Sequence, residues 1–95
     1  MAPDPDELRA NVLQDVSVVL CGRFELTSTM SDTDRAIAML DEAVEIARSL
    51  RLSPAVLLTN RSLARWRRFM AFHRLADLQQ SKTDGVAALA ALAPG

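Results

Sequence analysis

A chain of 95 residues has room for one compact domain with a buried core, and 49% apolar against 24% charged residues sets it apart from disordered chains. No apolar run nears the roughly 18 residues that span a bilayer, and the start Met1-Ala2-Pro3-Asp4-Pro5-Asp6-Glu7 lacks the basic opening of a secretory signal. The net charge of −1 hides a split: residues 1–50 carry ten acids and four arginines, residues 51–95 seven basic residues and two aspartates, so the halves either pair with one another or present faces of opposite sign.

In chain order, the first helix opens on Asp4 as cap, Pro5 at the first helical position and Glu7 at capping-box spacing. Leu8, Val12, Val16, Val19, Leu20 and Phe24 recur at three- and four-residue intervals and predict one broad buried face. A polar break follows at Thr27-Ser28-Thr29-Met30-Ser31. Asp32 and Asp34 open the second helix, where negative charge suits the helix dipole. Ala36, Ile37, Leu40, Ala43, Val44, Ala47 and Leu50 form its apolar arc, with Asp34, Asp41, Glu45 and Arg48 opposite. Ser53-Pro54 predicts a cap and an N1 proline. The third helix then runs to about Phe72, with Val56, Leu63, Trp66, Phe69 and Met70 on one arc. The fourth begins near Asp77, is interrupted at Thr83-Asp84-Gly85, and resumes with Val86, Leu89 and Leu92.

A shift of 45 residues sets Leu13 on Leu58, Ser17 on Ser62, Arg23 on Arg68, Phe24 on Phe69, Asp32 on Asp77 and Ala43 on Ala88. These matches fall on core faces, on a small contact residue and on a helix start. That is the signature of a repeated two-helix unit, one hairpin covering the apolar face the other cannot bury alone. The predicted fold is all-α: two stacked antiparallel helical hairpins, four helices with the last irregular. Repeat one covers about 5–50 and repeat two about 54–93, in a single domain over 1–95.

Phe24-Glu25-Leu26-Thr27 and Asp34-Arg35-Ala36-Ile37-Ala38-Met39-Leu40-Asp41-Glu42-Ala43-Val44 resemble the long tetratricopeptide repeats of bacterial and fungal tandem-repeat proteins. Leu75-Ala76-Asp77-Leu78 resembles the inter-helix segment of the same repeat. The resemblance covers about residues 12–89 and departs from the pattern in the last helix, where Lys82, Asp84 and Gly85 stand at the positions of Ile37, Met39 and Leu40. Many proteins of that family carry a caspase-like protease domain elsewhere in their chains. The resemblance implies a protein-interaction scaffold, and it brings no catalytic residue.

Arg61, Arg65 and Arg68 line one stripe of the third helix, and Phe72 continues it. Forked guanidinium donors on one face suit a carboxylate, an acidic peptide or a phosphate backbone, so these four residues form the candidate partner-binding site. The bland alternative pairs the arginines with Asp34, Asp41 and Glu45 of the second helix. Arg65-Trp66-Arg67-Arg68 mixes base and aromatic as nucleic-acid surfaces do, but Trp66 falls on the apolar arc and a pI near 5.7 disfavours that reading. Cys21 and His73 are the sole cysteine and histidine, more than fifty residues apart. They make neither a metal site nor an expected catalytic dyad, and both are expected to pack. No glycine-rich phosphate loop or nucleophile elbow is present. The expectation is a cytoplasmic, non-catalytic module without cofactor that binds a protein partner. Self-association is the alternative and nucleic-acid binding the third reading.

Overall fold

A computed structural model describes residues 4–92. These form α1 (Pro5–Thr27), α2 (Met30–Ser49), α3 (Ala55–Phe72) and α4 (Leu75–Leu92), with no strand among the described residues. α1 packs along α2 and α3 along α4, so the chain is two hairpins. α2 and α3 meet to stack them, while α1 and α3 touch only sparingly. The Cα trace fills a slab of 43 × 28 × 15 Å. A slab that thin, against a helix diameter of about 10–12 Å, leaves most helices open to solvent on one side.

The turns explain the register. Asp4 caps α1 as expected, its Oδ1 accepting the Asp6 and Glu7 N–H groups at 2.7 and 3.3 Å. Ser28 ends α1 in the left-handed region at φ 56° and donates its N–H to the Phe24 carbonyl at 2.7 Å. Forty-five residues on, His73 ends α3 at φ 59° and donates to Phe69 at 2.7 Å. Asp32 and Asp77 then donate to Thr29 and Arg74, both at 3.0 Å. The same side-chain brace spans both turns: Arg23 forks onto Asp32, and Arg68 forks onto Asp77. The two turns thus match at a spacing of 45 residues, in their backbone hydrogen bonds and in their arginine–aspartate brace. Between the hairpins, Leu52 N–H reaches back to the Ala47 carbonyl at 2.8 Å with Arg51 at φ 58°, a Schellman-type end.

α2 is the central element. Ala36, Leu40, Ala43 and Val44 are wholly buried, and the alanines let neighbouring backbones approach. Leu40 and Leu58 each contribute about 1.5–3 kcal/mol by leaving water. On α1 the structure departs from the expected face. Leu20 and Phe24 are buried, but Leu8, Val12, Val16 and Val19 are exposed, and Ala10, Ser17 and Cys21 fill the arc against α2. The apolar face of α1 is broader than its contact with α2, and packing buries the edge whose small residues permit close approach.

α4 departs too. It is continuous through Thr83-Asp84-Gly85, where an interruption was expected. Its buried face is Asp77, Ser81, Asp84 and Ala88, while Val86, Leu89 and Leu92 point to solvent. Asp84 looks like a helix breaker in local sequence, but its carboxylate is held by arginines of α3, and the helix persists because that tertiary contact outweighs propensity. Asp77, expected to cap α4, lies in its first turn and turns inward to Arg68.

Candidate interaction groove and the arginine stripe

Arg61, Arg65 and Arg68 do share one stripe of α3, but it faces the chain's own carboxylates, with side chains only 15–16% exposed. Arg61 forks onto Asp84 at 3.0 and 2.9 Å and reaches Asp41 at 2.8 Å. Arg65 binds Asp84 at 2.6 Å. Arg68 forks onto Asp77 at 2.9 and 2.5 Å and reaches Asp34 at 2.7 Å. Each tier thus sets arginine between an aspartate of α2 and one of α4. Burial weakens the Arg61 cation, but Asp84 and Asp41 outweigh it and hold its pKa above the ordinary value. Arg68 is likewise raised, first by Asp77 and then by Asp34 against burial. Asp34 and Asp41 were anticipated as partners; Glu45 instead meets Arg48, and the two aspartates of α4 were not foreseen. Ser62 and Ser81 complete the seam, each hydroxyl donating to the other residue's carbonyl at 2.8 and 2.9 Å.

Phe72, the fourth residue of the expected site, is half-buried at the end of α3 with its ring against Phe24, centroids 6.1 Å apart. It packs the hairpins together. Trp66, expected in the core, is 43% exposed and leans on Phe69 at 5.8 Å. His73 is exposed at the C-cap, edge-on to Phe69.

The open surface is elsewhere. Because α1 and α3 scarcely touch, a groove runs between them with Leu40 of α2 as floor. Its main cleft of about 340 Å³ is walled by Ser17, Val18, Cys21, Gly22 and Glu25 on one side and Asn60, Leu63 and Arg67 on the other. It continues into a second cleft of about 330 Å³ bordered by Phe24, Ser28, Trp66, Met70 and Ala71. Val18, Leu63, Trp66 and Met70 expose apolar surface there. Arg67 Nε and Glu25 Oε1 bridge the groove at 2.9 Å, both side chains still partly in water. The sequence carried one signal for this site. Gly22 sits inside a helix, where glycine costs about 1 kcal/mol relative to alanine, and nothing lies within 4 Å of where its Cβ would be.

Cys21 lies on the groove wall, 8% exposed, and burial pushes its thiol up despite Arg67 nearby. That direction is opposite to an activated nucleophile. Among the described residues no group of three or more His, Cys, Asp or Glu could hold a metal ion, and no helix is long and apolar enough to cross a membrane. Compared with known protein families, curated proteins and solved structures, the chain matches none.

Proposed function

We propose that this chain is a non-catalytic, tetratricopeptide-like interaction module that receives an amphipathic helix of a protein partner in the groove between α1 and α3. The observation that carries this reading is the exposure of Leu63, Trp66 and Met70 along one side of a groove whose other side is opened by Gly22. A tryptophan with a methionine beside an unfilled cleft suits an apolar helix face, because both side chains bring contact area and methionine adapts its shape. The Glu25–Arg67 bridge offers one donor and one acceptor to the polar edge of the incoming helix. The arginine stripe supports the acidic-ligand version of the reading poorly, since its donors are engaged by Asp34, Asp41, Asp77 and Asp84. Its role in this proposal is to fix α3, and so one wall of the groove.

The test selects helical peptides from a displayed library against the native chain, with Gly22→Trp and Leu63→Glu variants as counter-targets. The expected winners carry apolar residues at i, i+3/i+4 and i+7. They should lose about tenfold or more in affinity on either variant, which is about 1.4 kcal/mol or more, and slow alkylation of Cys21. Winners that bind both variants equally, or that leave Cys21 labelling unchanged, would remove the groove from the reading.

A further inference from the structure

The 45-residue register can be carried past the contact between α2 and α3 to the two ends of the stack. Within the chain, α3 turns Leu57, Arg61 and Ala64 inward, and Arg61 meets Asp41 of α2 at 2.8 Å. Leu57 and Ala64 lie one turn to either side of Arg61 and are 7% and 0% exposed. The residues of α1 at these repeat positions are Val12, Val16 and Val19, exposed by 51%, 37% and 69%. On the other side of the contact, α2 buries Val44 and Ala47 to 0% and 3%. Their equivalents on α4 are Leu89 and Leu92, exposed by 71% and 68%. Each uncovered apolar stripe thus stands at repeat positions that the chain elsewhere buries, around the Asp41–Arg61 pair that crosses between its hairpins.

Two further observations tie the stripes to one another. The ion pair Asp41–Arg61 that crosses between hairpins maps onto Val86 of α4 and Val16 of α1, so both charges are replaced by valine together. A change of one charge alone would leave a mismatch; the joint change keeps the two ends complementary as an apolar contact. The first groove cleft is also repeated. Ser17, Val18 and Leu40, which line it opposite α3, correspond to Ser62, Leu63 and Gly85, which line a cleft of about 240 Å³ with Leu89 and Leu92 on its rim. Among the described residues no helix follows to close it.

We propose that copies of this chain stack head to tail, α4 of one protomer against α1 of the next, in the arrangement that α2 and α3 use within the chain. The surfaces differ, so the contact is heterologous and adds protomers in a row instead of closing a pair. Apolar side chains form it, so raised salt does not weaken it. It uses the outer arcs of α1 and α4, and Leu63 borders both the cleft at that end and the α1/α3 groove proposed for a partner.

Sedimentation velocity tests this with the full chain and two end-blocked variants, Val16→Glu/Val19→Glu and Val86→Glu/Leu89→Glu. All four positions are exposed, so circular dichroism should show unchanged helicity. The native chain should raise its weight-average mass by about twofold or more over a roughly hundredfold rise in concentration. Each variant alone should stay monomeric. An equimolar mixture of the two should form a dimer and stop there, because one intact α4 end and one intact α1 end remain. That complementation also shows that both variants are folded. A native chain that stays monomeric throughout overturns the proposal, and so does a variant that still self-associates alone, which would mean a symmetric contact through one end. A native chain that assembles while the mixed variants remain monomeric overturns it as well.

Discussion

The two hairpins share one turn geometry and differ in what lies along the seam between their helices. In the first, α1 and α2 close over Leu20, Phe24, Ala36, Leu40 and Ala43. In the second, α3 and α4 close over Arg61, Arg65 and Arg68 against Asp77 and Asp84, with Ser62 and Ser81 donating across the seam. What stays constant is the turn: a left-handed residue at Ser28 and His73, and an arginine–aspartate brace nine residues apart around each. The lesson is that turn geometry sets where helices cross, and the interior has only to be complementary. Apolar pairs and paired charges both satisfy that condition, but they fail differently. A truncated apolar side chain leaves a void, whereas a removed carboxylate leaves uncompensated buried cations.

The largest test of the contrast is Asp84→Ala, which leaves Arg61 and Arg65 sharing the half-exposed Asp41 beside a half-empty seam. It should cost about 3–5 kcal/mol in urea unfolding followed by circular dichroism. Replacing Arg61, Arg65 and Asp84 together by Met, Leu and Leu should be neutral or gain about 1–4 kcal/mol, because it turns the second seam into one like the first. An Asp84→Ala loss below about 1 kcal/mol would mean that the tiers hold nothing together. Next, Phe24→Ala and Phe69→Ala probe equivalent repeat positions with unequal burial. Phe24 is 6% exposed and should cost about 3–5 kcal/mol, while half-buried Phe69 should cost about half as much. Equal losses would show that the second hairpin has an apolar core of the same weight. The smallest effect is a gain. Gly85→Ala places a Cβ 3.7 Å from Ser62 Oγ, an ordinary contact, and should stabilise α4 by about 0.5–1 kcal/mol in the same assay. A loss there would reveal a seam too tight for one methyl group.

Features carried by local chemistry were legible in the sequence. The Asp4-Pro5 start, the polar turn after Thr27 and the apolar arc of α2 all follow from capping and periodicity, which need only neighbouring residues. The 45-residue spacing of the two turns was legible as well, because it is a comparison of the chain with itself. Two things were not. The apolar face of α1 is broader than its contact with α2, so periodicity alone gives no rule for which part is buried; Val12 and Val19 fit the pattern as well as Leu20 does. Asp84-Gly85 reads locally as a stop, and only Arg61 and Arg65, some twenty residues away, convert it into helix interior. The candidate site suffered from the same non-locality. Three arginines on one face and the aspartates of α2 beside them are visible in a sequence, whereas Asp77 and Asp84, which occupy the arginines from α4, are not. The groove was marked only by Gly22, since its emptiness depends on how far α1 stands from α3.

The order of the helices in space follows their order along the chain: α1 against α2, α2 against α3, α3 against α4. Folding such a layout requires few costly loop closures, since each helix meets the one just made across a connection of only a few residues. Its natural kinetic unit is the single turn of chain around Ser28 or His73, and the second unit can dock while the first is still annealing. Low contact order of this kind places helical chains at the fast end of folding rates. The paired charges of α3 and α4 add a geometric condition to that layout: Arg61 and Arg68 each draw a carboxylate from α2 and one from α4, so their full pairing requires three helices in register at once.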